Sequence, residues 1–226
     1  MSAMAWAILS ILENLSWYFQ KRWLHSSEET DFPETFTEKV DEIIPRKAAR
    51  MEFEYIRHGT ISLIGFFDVA TGRMEKPYLN PTRTEDDFVE AIRVLVETDP
   101  EAPWTFVCDG LNTHKSESLV RFVAEQCGLS EDLGSKGKSG ILKNQESRAE
   151  FLHQKDHRIR IVYTPKHCSW MNQIEIWFGI INRRLLKRKS YQSIDELKAS
   201  ILRFIEQYNI MAKPFKWTYK GVPLTA

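Results

Sequence analysis

Arg160-Ile-Val-Tyr-Thr-Pro-Lys-His-Cys-Ser-Trp-Met-Asn-Gln-Ile-Glu-Ile-Trp-Phe178 changes its period halfway along. Ile159, Ile161 and Tyr163 alternate with Arg160 and Val162 in a β-branched and aromatic run, which predicts a strand. Pro165 stops the strand, and a polar corner follows (Lys166, His167, Cys168, Ser169). From Asn172 onward, Ile174, Trp177, Phe178, Ile181 and Leu185 recur at helical spacing and give one apolar face. Glu175 falls in the first turn of that helix, beside the apolar stripe. A carboxylate there gains from the helix dipole, by a few tenths of a kcal/mol to about 1. Its position therefore has a plain structural explanation as well as a chemical one.

A second carboxylate stands at a comparable place. Trp104-Thr-Phe-Val-Cys108 reads as a short buried strand, and Asp109-Gly-Leu-Asn-Thr-His-Lys-Ser116 follows it. The C-terminal end of a buried strand is where open α/β sheets place their chemistry. Asp-Gly is also strong turn chemistry, so an Asx-turn or N-cap remains the alternative for Asp109. Asn112 and His114 are expected to hydrogen-bond within this loop and orient Asp109, or else to contact a ligand. His167 and Asn172 lie near Glu175 in sequence and could support it, as partners of metal-bound carboxylates do. Trp170 and Trp177 read as packing residues.

These two segments resemble the transposases of the IS630 and Tc1/mariner superfamily. The matching residues are Cys-Asp109-Gly-Leu-Asn112-Thr-His114-Lys-Ser and Tyr163-Thr-Pro-Lys-His-Cys-Ser-Trp-Met-Asn172-Gln-Ile-Glu175-Ile-Trp177. Tyr55-Ile-Arg-His58-Gly59, running into Asp68-Val-Ala-Thr-Gly72, is a third match, and Pro214-Phe-Lys-Trp217-Thr a fourth. The four stand in the family's order over about residues 50 to 226. The resemblance implies an α/β, RNase H-like mixed sheet flanked by helices. It also implies a DDE carboxylate triad holding two Mg²⁺ (or Mn²⁺) ions, with cleavage and transfer of DNA strands. Transposon ends and target DNA would be the partners, and a homodimer the active complex. Asp109 falls on the family's second Asp and Glu175 on its terminal Glu. Phosphodiester transfer suits such a cluster, because two metals about 3.5–4 Å apart stabilise the attacking and leaving oxygens together. Mg²⁺ takes hard oxygen ligands and keeps several waters.

The chain departs from the family at the first Asp. There that residue lies on an opening strand, in a valine–Asp–Glu context, well before the Tyr-Ile-Arg-His-Gly motif. Here the similar string is Lys39-Val-Asp41-Glu42, and it stands close to Tyr55. Either Asp41 is the first ligand, displaced by a deletion, or the first Asp is lost. Asp68 is a further candidate, but its Asp-Val-Ala-Thr-Gly context reads as a hairpin turn.

With 226 residues the chain suits one domain with appendages. Its zero net charge conceals an asymmetry: residues 1–132 carry 13 Lys/Arg against 24 Asp/Glu, and residues 133–226 carry 18 against 7. The halves are thus −11 and +11, so a neutral total does not argue against a nucleic-acid partner. The three cysteines, Cys108, Cys127 and Cys168, form no C-x-x-C pair and fit a reduced cytoplasmic interior, nucleoid-associated on the transposase reading. They show no familiar zinc spacing with the histidines.

In chain order, Ala5-Trp-Ala-Ile-Leu-Ser-Ile-Leu12 and its continuation lack the basic start and cleavage site of a signal peptide. Glu13, Asn14 and Gln20 interrupt the roughly 20 apolar residues that a membrane span needs. An amphipathic helix is the default reading of residues 1–24. Nothing here resembles the family's helix-turn-helix DNA-binding region, which suggests a truncated or frameshifted element. Residues 1–50 are therefore read as a divergent N-terminal helix and linker, and 51–226 as the catalytic domain. Thr60 to Phe67 predicts a strand, Gly72 a turn, and Arg73 to Leu79 an antiparallel return. Thr84-Glu-Asp-Asp87 opens a helix carrying Phe88, Ile92, Leu95 and Val96 inward. Ser116 opens another, with Leu119, Val120 and Val123 facing the core and Gly128 ending it.

Residues 129–157 read as an insertion, either a solvated loop or a flexible basic loop able to touch phosphates. Gly134-Ser-Lys-Gly-Lys-Ser139 is not a P-loop, because its spacing is too short and no strand precedes it. Arg183, Arg184, Lys187, Arg188 and Lys189 offer a phosphate-contacting surface, or a solvated helix end whose cations the dipole favours. Ser193-Ile-Asp-Glu196 opens a final helix through Leu197, Ile201, Ile205 and Tyr208. Two rivals to an active transposase follow: a catalytically inactive remnant that retains DNA binding or oligomerisation, and an RNase H-like nuclease acting on another substrate.

Overall fold

Thr60-Ile-Ser-Leu-Ile-Gly-Phe-Phe-Asp68 is apolar at successive positions, which suits a strand covered on both faces. That is how it folds. The computed structural model describes residues 59–130, 132–165 and 172–216 (Arg188 as backbone only), together with the backbone of 5–16, 19–20 and 55–56. Its strands are β1 (Ala5–Ser16), β2 (Phe19–Gln20), β3 (Tyr55–Ile56), β4 (Thr60–Asp68), β5 (Arg73–Asn80), β6 (Trp104–Cys108) and β7 (Ile159–Tyr163). Its helices are α1 (Glu85–Val96), α2 (Glu117–Gln126), α3 (Gln145–His153), α4 (Ile174–Arg184) and α5 (Ile194–Ile210).

One mixed sheet runs in the order β5-β4-β1-β6-β7. β5, β4 and β1 are antiparallel neighbours, while β1, β6 and β7 run parallel. β2 and β3 form a short antiparallel ribbon beside it, pairing Phe19 with Ile56 and Gln20 with Tyr55. Each face of the sheet carries its own core. Ile64 and Phe66 of β4, with Trp104, Phe106 and Cys108 of β6, pack against α1, α2 and α3. Ile61, Leu63 and Phe67 of the same β4 pack against α4 and α5 on the other face. Trp177 is fully buried there and meets Phe178, Phe204 and Tyr208 edge-on, so it is the packing residue its spacing predicts.

Within residues 1–24, expected as an amphipathic helix, Ala5–Ser16 form a strand instead, and a central one. Ala5 to Leu12 is an almost unbroken apolar run, and such a run does not distinguish a buried strand from a buried helix by period. Two neighbours decide the matter: β4 and β6 each present a row of backbone donors and acceptors that β1 satisfies. The polar pair Glu13-Asn14, read from sequence as a break in an apolar helix, falls where the β1–β4 register shifts, between Leu12 and Leu15.

The two edge strands are closed by side chains. At β5, Asn209 of α5 accepts from the Met74 amide (2.9 Å) and donates to its carbonyl (2.8 Å). At β7, the His153 ring lies 3.1 Å from the Ile161 carbonyl, and Arg160 reaches back to the His153 carbonyl at 3.0 Å. α3 is a helix within the segment read as a loop. Asn144 caps it through the Ser147 amide, and the Ser147 side chain returns to the Asn144 amide. The Gly134–Gly140 stretch is a tight turn closed by a Ser135–Ser139 bridge, with Gly134, Gly137 and Gly140 all at positive φ. It is a built element rather than a flexible loop.

Asp68 and Asp87 show carboxylates used as structure. Asp68 accepts from the Ala70 amide (2.9 Å) and the Thr71 hydroxyl (2.7 Å), confirming the hairpin-turn reading. Asp87 closes the capping box of α1 and accepts from the Thr84 amide (2.7 Å), the Thr84 hydroxyl (2.9 Å) and the Thr82 hydroxyl (2.7 Å). Burial raises the Asp87 carboxyl's pKa, but these donors together outweigh it and hold it below its ordinary value. Its stabilisation is therefore present above the unfolded value of about 3.9 and is lost as pH falls through the folded one. Asp87→Ala should cost about 2 kcal/mol in urea unfolding at neutral pH. The gap from wild type should narrow below about pH 4.

Candidate active site

Asp109 is the first residue beyond β6, and the parallel pairing of β6 with β7 holds the start of its loop. Cys108 pairs with Tyr163, and the Thr164 amide donates to the Cys108 carbonyl at 2.8 Å. The loop then turns through a 3-10 segment (Asn112–Lys115) into α2. Its anchor is His114, which is fully buried and stacked on Phe88 of α1 with ring centroids 4.4 Å apart. Nδ1 of His114 lies 2.8 Å from Oδ1 of Asp109 and 3.1 Å from the Asp109 carbonyl. The Leu111 amide also donates to Oδ1, at 3.4 Å. Burial raises the Asp109 carboxyl's pKa. The hydrogen bond and charge of His114, the Leu111 amide and the nearby Lys115 more than offset that, and Asp109 stays below the ordinary carboxylate value.

Asp109 thus stands at the end of a buried strand and makes an Asx-type loop bond, as the turn reading expects. His114 is the orienting residue that its place in the loop suggests. Asn112 acts differently: its Oδ1 accepts from Gln145 of α3 at 2.9 Å. Arg148 of α3 donates to the Lys115 carbonyl at 2.6 Å, and the Tyr163 hydroxyl donates to the His114 carbonyl at 2.8 Å. The insertion therefore braces the loop that carries Asp109. Asn144, whose cap makes α3 possible, was the available signal for it. Cys108 is fully buried, and burial pushes its thiol well up, with Asp109 adding to the effect.

Glu175 sits, exposed, in the first turn of α4, its amide bonded to the Asn172 carbonyl at 3.0 Å. The helix lies close on the sheet at Gly65 of β4, where an added β-carbon would stand 3.1 Å from Cδ1 of Ile174, Glu175's neighbour. β4 and β6 are separated by β1 alone. β6, which leads to Asp109, and β4, on which the start of α4 packs, are thus two strand spacings apart, about 10 Å.

Asp41, His167, Cys168, Trp170 and Trp217 lie outside the described residues. Arg183, Arg184 and Lys187 are exposed along the end of α4 and the turn after it, and only the backbone of Arg188 is described. Lys189 is partly committed elsewhere, pairing with Glu196 at 2.7 Å and lying over the Tyr191 ring. Ser193 caps α5 through the Glu196 amide, while the Glu196 carboxylate accepts from the Gln192 amide rather than completing a reciprocal box.

A mixed sheet with helices on both faces, one carboxylate at the end of an inner strand and a second in the first turn of a covering helix defines an α/β protein. The chain belongs to the DDE superfamily endonucleases, whose family model matches residues 39–198. No curated protein matches it. Among solved structures it is similar to a chain of the Mos1 strand transfer complex, at 10% identity and a TM-score of 0.29, over 95% of this chain and 55% of that one. The chain thus spans just over half the length of that relative. Domains of this family generally use divalent metal ions. The fit here is partial: Asp109 and Glu175 supply hard oxygen donors, but among the described residues no three His, Cys, Asp or Glu side chains form a group able to hold an ion. No helix among the described residues is long and apolar enough to cross a membrane.

His114→Ala removes a fully buried ring and the principal donor to Asp109. It should cost about 2–4 kcal/mol in denaturant unfolding. It should also raise the Asp109 carboxyl's titration, read by ¹³C NMR, since desolvation would remain with less to oppose it.

Proposed function

We propose that this chain is the RNase H-like domain of an insertion-sequence transposase of the IS630 type, with DNA as its ligand. The observation that carries this reading is the placement of Asp109 and Glu175 on one mixed sheet, at the end of β6 and the start of α4, in a chain of the DDE endonuclease family. Two Mg²⁺ or Mn²⁺ ions are the cofactor that such a carboxylate arrangement serves. Cleavage of transposon ends and transfer to target DNA is the corresponding activity, in a homodimer acting in the nucleoid-associated cytoplasm. Arg183, Arg184, Lys187, Arg188 and Lys189 form the phosphate-contacting surface. Lys189 contributes least, because Glu196 already neutralises it.

The incomplete donor set favours a second reading, a domain that still binds DNA but does not cleave it. The two separate in one experiment on purified protein and element-end DNA. Binding should weaken steeply with salt, and the Arg183→Ala, Arg184→Ala, Lys187→Ala triple variant should flatten the log K against log salt slope by about 2 to 3. Metal-dependent cleavage abolished by Asp109→Ala supports the active transposase. Binding without cleavage, unaltered by Asp109→Ala, supports the second reading. Salt-independent binding in the wild type would defeat both.

A further inference from the structure

We infer that Ser10 occupies the position on the central strand from which a third carboxylate would complete the Asp109–Glu175 pair, leaving this chain one residue short of a full metal site. The inference rests on the proposed reading of Asp109 and Glu175 as metal-binding carboxylates.

The register carries it. Ser10 pairs with Gly65 of β4, the point where Ile174 of α4 comes down on the sheet. On the other side Leu9 pairs with Cys108 of β6, so the next step along these parallel strands brings Ser10 level with Asp109. Ser10 is therefore one strand spacing, about 4.8 Å, from the strand that leads to Asp109. It is equally one spacing from the strand under the start of α4. The strand that bears Ser10 is the one between the strand leading to Asp109 and the strand under α4.

The acidic residues nearest in register do not fill that place. Asp68 pairs with Ala7, three residues back along β1, and its carboxylate is engaged by Ala70 and Thr71. Glu13 stands three residues forward, in the irregular stretch between Leu12 and Leu15. Three residues of strand is about 10 Å. Serine brings a neutral hydroxyl, whereas a hard divalent cation is held chiefly by carboxylate charge.

The test is Mn²⁺ binding to the full chain, measured by calorimetry and by electron paramagnetic resonance of the free ion. Wild type should bind weakly, and Ser10→Asp should tighten binding by about tenfold or more. Adding Asp109→Asn to Ser10→Asp should cancel that gain, while Glu13→Gln and Asp41→Asn should leave wild-type binding unchanged. Should Ser10→Asp fail to fold, as judged by circular dichroism, Ser10→Cys keeps the question open to measurement. That near-isosteric variant should acquire a Cd²⁺–thiolate absorption band absent from wild type and lost with Asp109→Asn.

Tight binding of two Mn²⁺ by wild type, lost on Glu13→Gln or Asp41→Asn, would overturn the inference and name the true first ligand. An unimproved, folded Ser10→Asp whose residual binding still depends on Asp109 would overturn the inference alone. Binding indifferent to both Asp109→Asn and Glu175→Gln in every background would instead sink the reading of the pair.

Discussion

A strand presents its residues to alternate faces, so a slip of one residue in β1 would bring Leu9 or Ile11 opposite Gly65 instead of Ser10. β1 is pinned against such a slip from both sides, antiparallel to β4 and parallel to β6. The pinning sets how the remaining parts meet. It fixes the level of the Asp109 loop relative to β4, and hence to α4, which approaches closely because Gly65 lacks a side chain there. A β-carbon at Gly65 would stand 3.0 Å from Sδ of Met74 and 3.1 Å from Cδ1 of Ile174. That is tighter than ordinary van der Waals contact, so the Met74 and Ile174 side chains would have to give way by a few tenths of an ångström to admit a β-carbon.

The Asp109 loop depends on a second layer of support that comes from distant sequence. His114 fixes the carboxylate and is itself held by Phe88 of α1. Gln145 and Arg148 of α3 hold Asn112 and the Lys115 carbonyl from outside. The segment between the two carboxylates thus serves as the wall of one of them, and its own turn is anchored by Lys136, 3.6 Å from Glu85 and 3.8 Å from Glu117. These ion pairs are exposed and individually weak. The glycine turn and the capped helix do most to order the wall.

Much of this was legible in the sequence wherever period and punctuation agreed. β7 and α4 follow from the change of period at Pro165, and α1 and α2 from their capping residues, Thr84 and Ser116. β1 was not legible, because an almost unbroken apolar run has no period to read, and only its partners choose strand over helix. α3 was missed for the opposite reason. It buries adjacent residues, Phe151 and Leu152, instead of a repeating stripe, and most of its surface is polar. At the site, Asp109, Glu175 and the orienting role of His114 were legible because each has local chemistry. The register that pairs Ser10 with Gly65 and Leu9 with Cys108 was not, since it joins strands far apart in the chain.

The charge at this site bears on how such a fold persists. Carboxylates gathered without a cation repel one another, and each must be desolvated as well. With Asp109 held by His114 and Glu175 exposed in a helix's first turn, both carboxylates have stabilising surroundings that require no metal. A neutral residue at the central position removes the repulsion that a third carboxylate would add to the unmetallated sheet. The contacts that brace the Asp109 loop come from His114, Gln145 and Arg148, on elements other than β1. On the inference drawn for Ser10, weaker metal affinity would therefore come without loss of the contacts that hold Asp109.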